Sequence, residues 1–217
     1  MEILEKLSES IEYGKSNKEF KHPPHLVGSD GASELTAIAL SQGISPDDIL
    51  KKGLMTGMNR IGEKFSTGKA FIPNLLISAK AMYAAMEHLK PFFESGEAKH
   101  KGTMLIGTVA GDLHDIGKNI VKMVMEGDGW KVIDLGANVK TELFLENLNK
   151  TENCIVGLSA LLTTTMLNME ETVREIKKFN ESIKVFVGGA PLSEEFALKI
   201  GADKYFADPH SLTKYIN

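Results

Sequence analysis

A single cysteine, Cys154, occurs among 217 residues, so no internal disulfide can form and no cysteine-based zinc or iron–sulfur site can be assembled. Within NCIVGLS it reads as an ordinary strand residue. No apolar stretch approaches the ~20 residues that a membrane helix requires. No cluster of Lys and Arg stands out and the formal charge is −4, which argues against a nucleic-acid partner. The N-terminal MEILEKLSES is too acidic and too periodic for a signal peptide, so a cytoplasmic chain with no membrane partner is expected. Nucleotide loops are missing as well. A P-loop has four residues between its glycine and its Gly-Lys pair, then a hydroxyl for magnesium. Here residues 112–116 intervene between Gly111 and Gly117-Lys118, Asn119 follows, and Asp112 and Asp115 would repel phosphate. Gly107, Gly111 and Gly117 also lack the GxGxxG intervals of a dinucleotide fingerprint.

What is present is an apolar run, Met104-Leu105-Ile106, leading into GTVAGDLHDIGK at Gly107–Lys118. A buried strand entering a glycine-containing loop and then a helix is where α/β proteins commonly hold a ligand, because strand C-termini meet helix N-termini there. His114 lies in the middle of this loop. Taken alone it would be read as a cap for the helix that follows. Its company changes that. Asp112-x-His114-x-x-Gly117 is followed, past residues 118–158, by Ser159-Ala160-Leu161 and, past residues 162–187, by Gly188-Gly189. In order and spacing this resembles the DxHxxG, SxL and GG signature of the cobalamin-binding group that includes methionine synthase, methylmalonyl-CoA mutase and the methyltransferase corrinoid proteins.

The first ninety-odd residues read as helices. Ile3, Leu4, Leu7 and Ile11 recur at helical intervals before Gly14, and Leu35, Ile38 and Ala39 mark a second helix ending near Gly43. Between them Lys21–Ser33 carries HPPH and GSDG, which is loop chemistry. Two prolines between His22 and His25 deny them helical metal spacing, so a solvated loop is expected. Ser45-Pro46-Asp47-Asp48 supplies an N-cap, a first-turn proline and acids for a helix bearing Ile49, Leu50, Leu54, Met58, Ile61 and Phe65. After Gly68, Pro73 opens another helix, and Pro91 is expected to end it. Residues 1–93 thus form a four-helix bundle. Glu94–Lys101, polar and aperiodic, reads as a linker. GMNRIGEKFSTGKAFIPNLLISAKAM also resembles the helical cap of methyltransferase corrinoid proteins, which would place Phe71, Leu75, Met82 and Met86 against the corrin.

From residue 102 to 217 the pattern alternates. Apolar runs at Met104–Val109, Val132–Leu135, Ile155–Leu158, Val185–Val187 and Tyr205–Ala207 alternate with helical stretches at Ile116–Met125, Thr141–Leu148, Met166–Phe179, Ser193–Ile200 and His210–Ile216. That is an α/β domain with a parallel sheet covered on both faces, its motif loops along one edge. The resemblance makes this sheet Rossmann-like, of the flavodoxin-like kind.

The resemblance also implies roles. His114 would be the lower ligand of cobalt in place of the cofactor's own base, with Leu113, Asp115, Ile116 and Gly117 completing its loop. Asp112 would accept the other ring N–H, fixing the tautomer and raising basicity, and Thr165 would extend the pair by a hydroxyl. Ser159, Leu161 and Thr163 would surround the buried cofactor tail, and Gly188-Gly189 would admit it closely, glycine having no Cβ. The alternative for Thr163 to Thr165 is a helix N-cap. Cobalamin or a related corrinoid, loaded as methylcobalamin, is the implied cofactor. The implied function is a carrier, itself no complete enzyme, moving methyl groups from a substrate-specific corrinoid methyltransferase to a second methyltransferase that serves a folate or thiol acceptor, with a reductive activator as a further partner. Two other classes fit the motifs. A cobalamin-dependent regulator would need a basic helix-turn-helix segment that these residues do not contain, and the small subunit of an adenosylcobalamin mutase usually comes without the helical cap.

Overall fold

Leu7 and Ile11, four residues apart and fully buried, define the inner face of α1 (Glu2–Glu12). The computed structural model describes residues 2–216. They divide into a helical unit, residues 2–101 with Glu126–Gly129, and an α/β unit, Gly102–Met125 with residues 130–216. In the helical unit α1 is followed by α2 (Ala32–Ser41), α3 (Pro46–Asp48), a π-helical stretch Ile49–Leu54, α4 (Met55–Ser66) and α5 (Ile72–Ser95). Ser45 caps α3, its Oγ accepting the Asp48 N–H at 3.1 Å. α1 lies close against the rod formed by the π-helical stretch and α4, because Gly57 has no Cβ where one would stand 2.4 Å from the Ser8 carbonyl oxygen. Among the described residues no helix is long and apolar enough to cross a membrane.

Two expectations change here. The helix containing Pro91 does not stop at it but runs to Ser95 and ends at Gly96, whose φ of 81° is the left-handed C-terminal conformation. A proline one turn from the end removes a single N–H donor, whereas the left-handed glycine redirects the chain. Glu94 and Ser95 are consequently helical and not linker, and Ala98 is buried. In the connection between α1 and α2, His22 and His25 are exposed, as a solvated loop requires. Lys15 is fully buried within it, its ammonium donating to the carbonyls of Lys18 (3.2 Å) and Phe20, and Ala32 N–H returns to the Lys15 carbonyl at 2.8 Å. His22 and His25 stand edge-on to Phe20 and Tyr13, with ring centroids 6.3 and 4.9 Å apart.

The α/β unit is a five-stranded parallel sheet: β1 (Thr103–Thr108), β2 (Lys131–Asp134), β3 (Cys154–Ser159), β4 (Val185–Gly188) and β5 (Lys204–Tyr205), ordered β2-β1-β3-β4-β5. Interleaved are α6 (Ile116–Gly127), α7 (Thr141–Leu148), α8 (Met166–Phe179), α9 (Glu194–Lys199) and α10 (Pro209–Ile216). Alternate strand residues separate two cores, as the two-residue period requires. Leu105, Val156, Leu158, Val185 and Val187 pack with Phe144 of α7 and with Met169, Val173 and Ile176 of α8. Met104, Ile106 and Phe186 pack with Met125 of α6 and Leu212 of α10 on the other side. The fifth strand covers two residues rather than the expected Tyr205–Ala207. β1 has β2 on one side and β3 on the other, so the chain reverses its winding between β1 and β3. Ligands settle at that switch point, beyond the strand C-termini.

The opposite end of the sheet is held by charge. Asp203 accepts from Lys177 (2.6 Å), Lys184 (2.9 Å) and the Val185 N–H (2.8 Å). Burial works to raise its carboxyl, but the Lys177 hydrogen bond and the other donors outweigh this and hold it below the usual carboxylate range. A group with a lowered folded value contributes its stability above the unfolded value and loses it as pH falls through the folded one. Asp203→Asn should therefore cost roughly 1 kcal/mol at neutral pH and progressively less in acid. Thermal melts of both proteins at several pH values check this, and a constant difference down to strongly acidic pH would contradict it.

Candidate functional site

At the C-terminal ends of β1 and β3, one buried carboxylate collects five donors. Asp112 is fully buried. Its Oδ1 accepts the His114 N–H at 3.0 Å and lies 2.7 Å from His114 Nδ1. Its Oδ2 accepts from the N–H groups of Leu161 (2.6 Å) and Leu162 (3.2 Å) and lies 3.0 Å from Thr165 Oγ1. Burial would raise this carboxyl, yet the donors, Leu161 N–H first among them, keep it far below the usual carboxylate range, so it is ionised. An ionised acceptor beside Nδ1 selects the tautomer with the proton on Nδ1 and leaves the lone pair on Nε2. The His114 side chain is 52% exposed, so that lone pair can meet a ligand.

Thr165 reaches Asp112, as the motif implied, but shares its hydrogen. Its Oγ1 is also 2.8 Å from the Leu162 carbonyl, and a hydroxyl has one hydrogen to give, so carboxylate and carbonyl compete for it. Nor is it a side-chain cap. Thr163–Thr165 form a short 3₁₀ turn before α8 with no capping bond from their side chains. Ser159 ends β3 beside Thr108, and its carbonyl accepts the Val109 N–H at 3.0 Å. Thr163 and Leu161 are exposed at the same edge.

Around His114 the surface is apolar where water would favour polar groups. Leu113 is 76% and Ile116 71% exposed, with Leu161, Leu162 and Leu167 exposed as well. Exposed apolar side chains gathered near one loop are what a binding surface requires. Asp115 accepts from Asn119 Nδ2 (3.0 Å) and from its N–H (2.8 Å) in the first turn of α6, and a Cβ on Gly117 would meet nothing within 4 Å. Lys118, the would-be phosphate lysine, is 2% exposed and bound to both Asp134 oxygens at 2.6 Å and to Asn119 Oδ1 at 2.7 Å, so it has no role toward phosphate.

The glycine pair lies close to the protein's own backbone. A Cβ on Gly188 would approach the Phe206 carbonyl at 3.3 Å, and one on Gly189, with φ 143°, would fall 1.8 Å from the Ala160 carbonyl oxygen. Gly189 is therefore demanded by the protein's own backbone. Of the four residues picked out in the helical unit, Phe71 is 68% exposed and Met86 half-buried, while Leu75 and Met82 are buried and present little surface. Ile72, Leu76 and Tyr83 are the other exposed apolar side chains of α5. Their spacing places them on one stripe, turned roughly 90° from the buried one. Helical periodicity alone groups Leu76 with Leu75, Ala79, Met82, Met86 and Leu89, but Leu76 is 42% exposed and belongs to the second stripe, which polar residues interrupt.

The donor set fits a corrinoid. Among the described residues no group of three or more His, Cys, Asp or Glu could hold a metal by itself. A single imidazole nitrogen at an apolar rim suits a metal whose other positions are filled by a macrocycle, the role that a His with a carboxylate partner performs at metal sites. Similarity agrees. Two family profiles, each described as a B12 binding domain, match residues 102–210 and residues 29–90. The chain is 41% identical over 178 residues to trimethylamine corrinoid protein 1 of Methanosarcina acetivorans, covering 80% of this chain and 82% of that one. It is 40% identical over 175 residues to dimethylamine corrinoid protein 1 of the same organism, covering 79% and 82%. Among solved structures it resembles the methanol:cobalamin methyltransferase complex of Methanosarcina barkeri, with 28% identity, TM-score 0.83, and coverage of 99% of this chain and 78% of that one. With one B12-binding profile spanning half the sequence and corrinoid proteins near 40% identity along most of their length, this chain belongs to the B12-binding family, among its small corrinoid proteins.

Proposed function

We propose that this protein carries a methyl group, on the cobalt of a bound corrinoid, from a substrate-specific methyltransferase to a second methyltransferase that passes it to a folate or thiol acceptor. The observation that carries the reading is the pair His114 and Asp112, an exposed imidazole held at 2.7 Å by a buried carboxylate. When bound, the corrinoid supplies a cobalt centre able to take up and release methyl groups. The chain's residues do the rest. His114 offers Nε2 as the cobalt ligand, and Asp112 keeps the Nδ1 proton in place so that the nitrogen stays a donor. Thr165 modulates Asp112 by giving or withdrawing its one hydrogen. Leu113, Ile116 and Leu161 would shield a bound corrinoid from water, and Ser159 and Thr163 would help to hold its tail. Residues 102–217 are the binding part. Residues 1–93 act as a cap, with Phe71, Ile72, Leu76 and Tyr83 its apolar covering surface.

Relatives named for trimethylamine and dimethylamine, and a structural neighbour named for methanol, support a methyltransferase as donor. The choice of donor molecule then belongs to that partner. A cytoplasmic location and a reductive activator complete the proposal. To test it, the full chain loaded with methylcobalamin is mixed with thiol and folate acceptors, and its absorbance spectrum is followed. No demethylation is expected until a cognate methyltransferase is added. Repeated turnover of small donors and acceptors by the protein alone would overturn the carrier reading.

A further inference from the structure

The peptide group between Ala110 and Gly111 is held on both of its edges. Its carbonyl accepts from Asn168 Nδ2 at 2.7 Å, and its N–H donates to Asn138 Oδ1 at 2.7 Å. The two amides come from opposite sides of β1: Asn138 from the loop after β2, and Asn168 from the start of α8, after β3. Asn138 itself has φ 55°, a left-handed conformation that asparagine tolerates better than most residues, and its N–H donates to the Asp112 carbonyl at 2.9 Å. Gly111, next in line, has φ 83°. A peptide plane preceding a left-handed glycine is the soft element of a loop, since turning it over interconverts common turn types. Here that rotation would break both amide bonds at once and displace the next residue, Asp112, with the imidazole it holds.

We infer that Asn138 and Asn168 are positioning residues that fix this peptide plane and thereby aim His114 Nε2, an inference that rests on the proposed ligand role of His114. Their side chains bond backbone, while the ring's own bond is to Asp112. Their requirements are opposite: the Gly111 N–H needs an acceptor at position 138, and the Ala110 carbonyl needs a donor at position 168.

That asymmetry makes the test. Asn138→Asp keeps the acceptor, Asn138→Gly keeps the left-handed backbone but loses it, and Asn168→Asp sets a carboxylate against a carbonyl. Two readouts apply to the full chain. One is amide hydrogen exchange of Gly111 in the cofactor-free protein. The other is nitrogen hyperfine splitting in the electron paramagnetic resonance of the cobalt(II) cobalamin-loaded protein, with protein nitrogen isotopically labelled. For Asn138→Gly and Asn168→Asp, Gly111 exchange should quicken and the ratio of His-ligated to unligated cobalt should fall about tenfold, the lower end of what outer partners of metal ligands contribute. Asn138→Asp should stay within about twofold of the parent, and all three should melt close to it. Parent-like exchange and splitting in Asn138→Gly and Asn168→Asp would overturn the clamp, as would Asn138→Asp behaving like Asn138→Gly. If His114→Ala leaves the splitting untouched, the ligand assignment falls instead, and Gly111 exchange alone still decides whether the amides hold the plane.

Discussion

His114→Ala should take up cobalamin and yet lose every trace of a protein nitrogen on cobalt. In the cobalt(II) form, enriching the protein alone in heavy nitrogen changes the hyperfine pattern only when a protein nitrogen is the ligand. The parent should respond to the label and the variant should not. Uptake should survive within about 10–100-fold of the parent affinity, because the apolar rim of Leu113, Ile116 and Leu161 remains. Asp112 should stay ionised, since Leu161, Leu162 and Thr165 still surround Oδ2. Added free imidazole should restore a nitrogen signal that does not respond to the label. A label-dependent pattern that persists in His114→Ala would remove this residue from cobalt and with it the central assignment.

The second large effect falls on folding. Gly189→Ala asks a Cβ to occupy space 1.8 Å from the Ala160 carbonyl oxygen at a φ of 143°. Left-handed strain of this kind costs on the order of 1–3 kcal/mol and overpacking roughly as much again, out of a total that for a domain is about 5–15 kcal/mol. Urea unfolding of the variant should show a loss of about 2–6 kcal/mol in the stability of the α/β unit. Gly201→Ala is the control: φ is 80° but a Cβ would meet nothing within 4 Å, so about 1–2 kcal/mol is expected. Equal losses for the two variants would mean that backbone dihedral alone, and not contact with Ala160, makes glycine necessary.

These two residues also show what the sequence could and could not disclose. Asp112, His114 and Thr165 could be grouped only through the family resemblance, and the fold brings them together because a parallel sheet puts neighbouring strand ends side by side and β1 and β3 are neighbours. The alternation of runs after residue 102 was legible for the same reason, down to the limits of α7 and α8. Gly188-Gly189 announced a close approach, but spacing could not name Ala160 as a backbone neighbour of Gly189. Pro91 misled because a helix tolerates the loss of one donor near its end. The stripe Ile72, Leu76 and Tyr83 was hidden behind a stronger core signal from Leu75, Met82 and Leu89. Asn138 and Asn168 gave no signal at all, since an amide that binds backbone looks in sequence like any polar loop or helix residue.

The five donors on Asp112 have a kinetic consequence. Three of them lie in residues 161–165, so the loop bearing His114 and the loop after β3 move as one body. Lifting the first would break several charge-assisted bonds together, each worth about 1.5–3 kcal/mol. Turning the imidazole about its own side-chain torsions breaks only the bond from Nδ1. Release and recapture of the ring should accordingly run on the fast clock of an exposed rotamer, ps to ns once that bond opens, and not on the ns to μs clock of a loop. Relaxation measurements would then find the His114 ring mobile over a backbone that stays still.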